Sequence, residues 1–198
     1  MMKMPYRIIL ASNSPRRKEL LSGLDIDYEV RTLPDIDESY PAGLKGGDIP
    51  LYISKEKADA YKSMLQPDEL IITADTIVWL NGEVLGKPRD REEAINMLHK
   101  LSGRAHEVFT GVTLTTTEKQ RSFYAETKVT FAQLTDDEIA HYVDKYHPFD
   151  KAGSNGVQEW IGYIGVERIE GSYFNVMGLP VQRLYRELKF FKSIPASR

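Results

Sequence analysis

The segment Leu70–Leu80 (LIITADTIVWL) carries the strongest strand signal in the sequence, and any fold must build a sheet around it. Asn81-Gly82 follows at once, the favoured dipeptide of a tight hairpin, with Glu83–Gly86 as the returning strand. Arg7–Ala11 reads as a short buried strand. Ser14 as N-cap, Pro15 in the first turn and Gly23 at the end then delimit a helix. Asp27–Thr32 is expected as a strand and Leu51–Leu65 as a helix, and Asp90 with Glu93 as a capping box for a helix reaching Leu101. His106–Thr117 and Ser122–Leu134 alternate as long strands, and Thr135 with Glu138 caps a helix that ends at His147-Pro148. Tyr163–Ile169 and Ser172–Val176 are expected as strands, and Pro180 opens a last amphipathic helix. Interspersed strands and helices with clear hairpins predict an α/β fold on a mixed sheet.

The 198 residues show no linker-like break in composition, so a single domain over residues 1–198 is expected, at roughly 100–200 residues per domain. Cysteine is absent, which excludes disulfides, cysteine nucleophiles and thiolate metal sites. Lys and Arg total 26 against 29 Asp and Glu, a net charge of −3, which argues against a long nucleic acid as partner. No apolar run approaches the ~18 residues of a membrane span, and the N-terminal apolar run is too short for a signal peptide. A soluble, cytoplasmic protein with no membrane partner is expected.

Several residues are costly without a ligand or a partner. Arg16, Arg17 and Lys18 crowd the first turn of the first helix, where the macrodipole is already positive. With the hydroxyls of Ser12 and Ser14 they form either a phosphate cradle or a solvated basic patch. Asp75 interrupts an apolar strand, where a carboxylate needs a cation, a metal, a cleft or a loop backbone. Lys57 falls on the apolar stripe of its helix, so its ammonium either has a partner or snorkels to water. Lys87, in GEVLGKP, is a candidate phosphate contact, although the spacing does not make a Walker loop. Asp35, Asp37 and Glu38 gather loop oxygens that suit a hard cation or are simply solvated. The four histidines show no metal-ligand spacing and read as structural or surface groups.

The segments LASNSPRRKELL, ADTIVWLNGEVLGKP, LSGRAHEVFTGV, HPFDKAGSNGVQ and VERIEGSYFNVMGLP, in this order, closely resemble the Maf-like nucleotide pyrophosphatases. The resemblance runs almost from end to end. It implies an elongated mixed sheet flanked by helices with a central cleft, similar to inosine-triphosphate pyrophosphatases. It implies hydrolysis of a nucleoside triphosphate between the α and β phosphates, with a divalent metal, Mg²⁺ first and Mn²⁺ or Co²⁺ as alternatives, and a housecleaning role in the cytoplasm. It assigns Asp75 as proton acceptor and Arg16, Thr76 and Gln158 as the positions that separate substrate subgroups. Ser12, Arg17, Glu38, Lys57 and Lys87 match further positions lining the family's site.

The combination of Arg16, Thr76 and Gln158 resembles the branch acting on dTTP and UTP. In the mechanism this implies, Ser12, Ser14, Arg17, Lys57 and Lys87 hold phosphate oxygens, and Glu38 with Asp75 holds the metal. DKAGSNGVQEWIG stands here where the family often reads DKAGAYGIQGRG, so Ser154-Asn155 and Glu159-Trp160 bear on base preference. The same reaction on 7-methyl-GTP or another modified nucleotide is the enzymatic alternative. A nucleotide-sensing regulator of cell division is the non-catalytic one. Relatives are often dimers, which makes a homodimer an expectation as well.

Overall fold

The computed structural model describes residues 3–191. In chain order its elements are β1 (Arg7–Leu10), α1 (Pro15–Ser22), β2 (Tyr28–Val30), α2 (Asp48–Tyr61) and β3 (Glu69–Leu80). Next come β4 (Glu83–Leu85), α3 (Arg91–Leu101), β5 (Ala105–Thr115), β6 (Gln120–Phe131) and α4 (Asp136–Tyr146). The chain closes with α5 (Trp160–Gly165), β7 (Val166–Glu170), α6 (Tyr173–Met177) and α7 (Val181–Leu188). The strands form a seven-stranded sheet ordered β2-β1-β3-β5-β6-β7, with β4 paired to β3. β1 is parallel to β2 and β3, whereas β4 and β7 are antiparallel to β3 and β6. The mixed α/β sheet expected from the sequence is the one observed.

The chain gathers into two compact units, one built from the segments up to Asp75, Thr110–Ala125 and Gly178 onward, the other from Thr76–Phe109 and Glu126–Met177. In the first, Ile9, Tyr61, Leu65 and Ile71 form an apolar cluster, and the Tyr61 hydroxyl accepts from the Leu33 amide at 2.8 Å. α2 lies hard against β5 because Gly111 has no side chain: a Cβ there would fall 2.3 Å from the Pro50 carbonyl carbon. Buried hydroxyls pin the same helix. Ser54 Oγ lies 2.8 Å from Thr113 Oγ1, and Thr73 Oγ1 donates to the Ser54 carbonyl at 2.7 Å. Leaving any one of these buried groups unpaired costs about 1–3 kcal/mol, so the network fixes how the helix lies on the strands.

In the second unit Val78, Leu98, Phe131, Ile139, Tyr142 and Ile161 belong to one buried cluster joining α3, α4 and α5 to the strands. Each such side chain contributes about 1.5–3 kcal/mol of burial. His106 is buried edge-on to Phe131, and desolvation holds its imidazole down at about 4, hence neutral.

Local capping follows the sequence closely. Ser14 caps α1, Thr135 and Glu138 complete the full box on α4, and His147 closes that helix in the left-handed region at φ 47°. Asn81 and Gly82 both take positive φ, as the hairpin requires.

Three expectations need correction. α2 starts at Asp48, not Leu51, because Asp48 suits the N-terminal dipole and Pro50 is tolerated in a first turn; a short 3₁₀ turn, Lys62–Met64, replaces its expected end. The box on α3 is half-formed: Asp90 accepts from the Glu93 amide, but the Glu93 carboxylate takes the Arg89 amide instead. Of the strands expected over Tyr163–Ile169 and Ser172–Val176, residues 166–169 lie in β7, but residues 163–165 and 173–176 are helical, within α5 and α6. Gly162 lets α5 approach the Val157 carbonyl, which a Cβ would meet at 1.8 Å. In α6 the Ser172 hydroxyl caps the Asn175 amide, while Asn175 Nδ2 is drawn inward to the Val108 carbonyl at 3.1 Å. Tertiary bonds overrode the apolar pattern there.

Candidate active site

The pinned helix α2 directs Lys57 inward, and β3 presents Asp75 from its middle. Lys57 Nζ lies 3.0 Å from Asp75 Oδ1 and 2.8 Å from Glu38 Oε1, and donates to the Ala74 carbonyl at 3.4 Å. The Lys57 and Asp75 side chains are each 13% exposed, whereas Glu38 is 59% exposed on its loop. Lys57 therefore does not snorkel: its ammonium is turned into an acidic cluster. Asp75 is answered by that cation and not by a loop backbone.

Arg17 braces the same point. Its Nη1 donates to the Ala74 carbonyl at 3.1 Å and its Nε to the Gly178 carbonyl at 2.8 Å. Burial pulls its guanidinium below the ordinary value, while Asp75 and Glu38 pull it upward. The Ala74 peptide is thus held by two cations immediately before the Asp75 carboxylate. At the start of α1, Ser14 Oγ accepts from the Arg17 amide at 3.4 Å and Ser12 Oγ from the Ser14 amide at 3.2 Å. No acidic residue occupies this first turn, and Arg16 lies half-buried on it.

Of the three acids on the loop, Glu38 is the one whose carboxylate meets Lys57. Asp37 folds back on its own loop, taking the Ser39 amide and hydroxyl, both at 2.8 Å, and those bonds hold its carboxyl below the usual range. Asp35 occupies a left-handed turn at φ 54°.

The remaining expected residues belong to the second unit. Thr76 follows Asp75 on β3 and is half-buried, Lys87 is exposed beyond β4, and Gln158 is half-buried on the loop before α5. The loops bearing Lys87 and Gln158 are tied together, since the Gly153 amide donates to the Gly86 carbonyl at 3.0 Å. The structure therefore brings Arg17, Glu38, Lys57 and Asp75 together in one unit and links the Lys87 and Gln158 loops in the other.

Two carboxylates already converge on one positive charge, the donor set that a hard divalent cation takes through one or two carboxylates plus phosphate oxygens and water. Among the described residues no group of three His, Asp or Glu side chains could hold a metal by itself. Glu38 and Asp75 fit a metal shared with a substrate, not a closed protein cage.

Some participants were invisible in the sequence. The Ala74 and Gly178 carbonyls act through backbone atoms, which no residue pattern reports. A second polar cluster, Tyr142 with Lys151 and Glu159, was signalled only by two charges next to a glycine-rich loop.

The family described as Maf-like protein matches residues 7–191. A Bacteroides thetaiotaomicron protein named dTTP/UTP pyrophosphatase is 69% identical over 93% of this chain and 95% of its own length. A Flavobacterium psychrophilum protein of the same name is 50% identical over 90% of this chain and 91% of its own. The structure of the Staphylococcus aureus Ham1 protein aligns with a TM-score of 0.50 at 20% identity, over 91% of this chain and 99% of that one, a likeness of fold. With the family match spanning residues 7–191 and these relatives at 50–69% identity over most of the chain, the chain belongs to the Maf-like protein family.

Proposed function

We propose that this protein hydrolyses dTTP and UTP to the nucleoside monophosphate and pyrophosphate. The observation that carries this reading is the 69% identity, over 93% of the chain, to a relative named for that activity. The Asp75–Lys57–Glu38 cluster supplies the chemistry it needs.

In this reading a water oxygen attacks the α-phosphorus while Asp75 orients the water and accepts its proton. The bond from the α-phosphorus to the α–β bridging oxygen breaks, and pyrophosphate leaves with the electron pair. Phosphoryl chemistry of this kind rests chiefly on positioning and charge. Arg17, Lys57 and Lys87, with the Ser12 and Ser14 hydroxyls, neutralise and hold phosphate oxygens. Glu38 and Asp75 hold the divalent cation, Mg²⁺ in the first instance, which when bound neutralises phosphate charge and polarises the α-phosphorus. Arg16, Thr76 and Gln158 select the nucleotide. The work is nucleotide housecleaning in the cytoplasm, and no helix among the described residues is long and apolar enough to cross a membrane.

The test is a panel of dTTP, UTP and 7-methyl-GTP with purified protein, reading monophosphate and pyrophosphate separately, with and without a chelator. Chelator-sensitive release of pyrophosphate from dTTP and UTP is expected. Release of orthophosphate, or turnover confined to 7-methyl-GTP, overturns the reading.

A further inference from the structure

The loop that carries Gln158 is held by a buried polar cluster for which the chemistry above has no use. Tyr142 is fully buried on α4; its hydroxyl donates to Glu159 Oε2 at 2.5 Å and accepts the Gly156 amide at 3.0 Å. The other Glu159 oxygen lies 3.1 Å from Lys151 Nζ, which also reaches Asp150 Oδ1 at 2.9 Å. The start, middle and end of the loop are therefore joined through one phenol and one ion pair. The fit is tight: a Cβ at Gly156 would stand 3.0 Å from both Lys151 Cε and Glu159 Cδ.

The loop conformation is not one its own backbone favours. Gly153 takes φ 66° freely, but Ser154 is held at φ 57°, in the left-handed region a non-glycine residue rarely adopts, and its buried hydroxyl has no hydrogen-bond partner. Something outside the local sequence must impose that shape. A phenylalanine at position 142 and apolar neighbours would fill the same space without the cost of desolvating a lysine and a glutamate. A partly buried ion pair is weak support for stability, so its value here lies in fixing one loop geometry. Gln158 sits between buried Val157 and clamped Glu159, and its backbone follows both.

We propose that Tyr142, Glu159 and Lys151 are positioning residues that set Gln158 for recognition of the nucleobase, an inference that rests on the dTTP and UTP reading above. None of these three side chains is among the groups that hold phosphate or activate water in that reading. Its loss weakens nucleotide recognition and leaves the chemical step intact.

The test compares wild type with Tyr142→Phe, Glu159→Gln and the double variant, measuring kcat and KM on dTTP and UTP. KM is expected to rise about tenfold in each single variant with kcat within about twofold, and the double variant to be no worse than the worse single. An unchanged KM in a folded variant, or a fall in kcat at constant KM, overturns the proposal. Amide exchange on the wild type stands beside the kinetics in case a variant does not fold. The Gly156 amide must then exchange far more slowly than an open loop, and fast exchange there overturns the clamp. Wild type that turns over neither nucleotide refutes the proposed function, an outcome distinct from failure of the clamp.

Discussion

Glu69 opens β3 and Asp75 lies midway along it, and the surroundings of the two carboxylates differ in a way that separates architecture from chemistry. Glu69 is 1% exposed and saturated: Arg31 takes both oxygens at 2.9 and 2.6 Å, Arg7 adds a bond at 2.7 Å and the Gln66 amide another at 3.0 Å. Asp75 is 13% exposed and shares its lysine with a second carboxylate, Glu38. A carboxylate with every lone pair satisfied by fixed donors can only hold the fold. One that shares a single ammonium with a neighbour keeps acceptor capacity for a metal, a water or a proton.

The sharpest way to break this contrast is Asp75→Asn. It should lower kcat by about a thousandfold, the range of a lost general base, while the thermal midpoint moves by less than about 4 °C. Turnover near wild type would end the role given to Asp75. Glu69→Gln should do the reverse, costing about 3 kcal/mol of stability and leaving kcat within about twofold, read by urea denaturation and steady-state kinetics.

The pH dependence has a definite sign. Hydrogen bonds from Arg31, opposed by burial, hold the Glu69 carboxyl down at about 2 from its ordinary 4.5. Its contribution is therefore complete above pH 4.5 and lost as pH falls toward 2, a loss that Glu69→Gln should not show.

Two variants on the acidic loop refine the comparison at smaller effect. Glu38→Gln should raise the Mg²⁺ needed for half-maximal activity by about tenfold, measured by metal titration. Asp37→Asn should change neither kcat nor the metal requirement beyond about twofold, because its carboxylate bonds Ser39. A larger effect at Asp37 than at Glu38 would invert the assignment of that loop.

Elements whose boundaries are set by local chemistry were readable in the sequence. The Asn81-Gly82 turn, the Ser14 cap and the Thr135–Glu138 box each depend on residues within a few positions of one another. Residues 163–165 and 173–176 were misread, while 166–169 are the strand the pattern announced. α5 depends on the close approach of Gly162 to the Val157 carbonyl, which no apolar pattern reports, and α6 answers to the distant Val108 carbonyl reached by Asn175. The candidate site divides in the same way. Asp75 and Lys57 were conspicuous because a charge on an apolar pattern is expensive. Which alternative each adopted was not, since the answer lay in Glu38 and in backbone carbonyls whose positions follow from the fold. Arg17 needed the structure most, for its Nε and Nη1 bond main-chain oxygens of Gly178 and Ala74.

Gly111 has a consequence for how this enzyme can be damaged. The helix that carries Lys57 rests on bare main chain, at a spot where one extra carbon would overlap Pro50 and Leu51. That spot acts as a gauge block, setting the height of the ammonium above the sheet by the thickness of a peptide and nothing more. An alanine there adds no charge, removes no hydrogen bond and touches no substrate. It would nonetheless lift the lysine off its carboxylates, and in a genetic screen a silent-looking methyl would carry the phenotype of an active-site lesion.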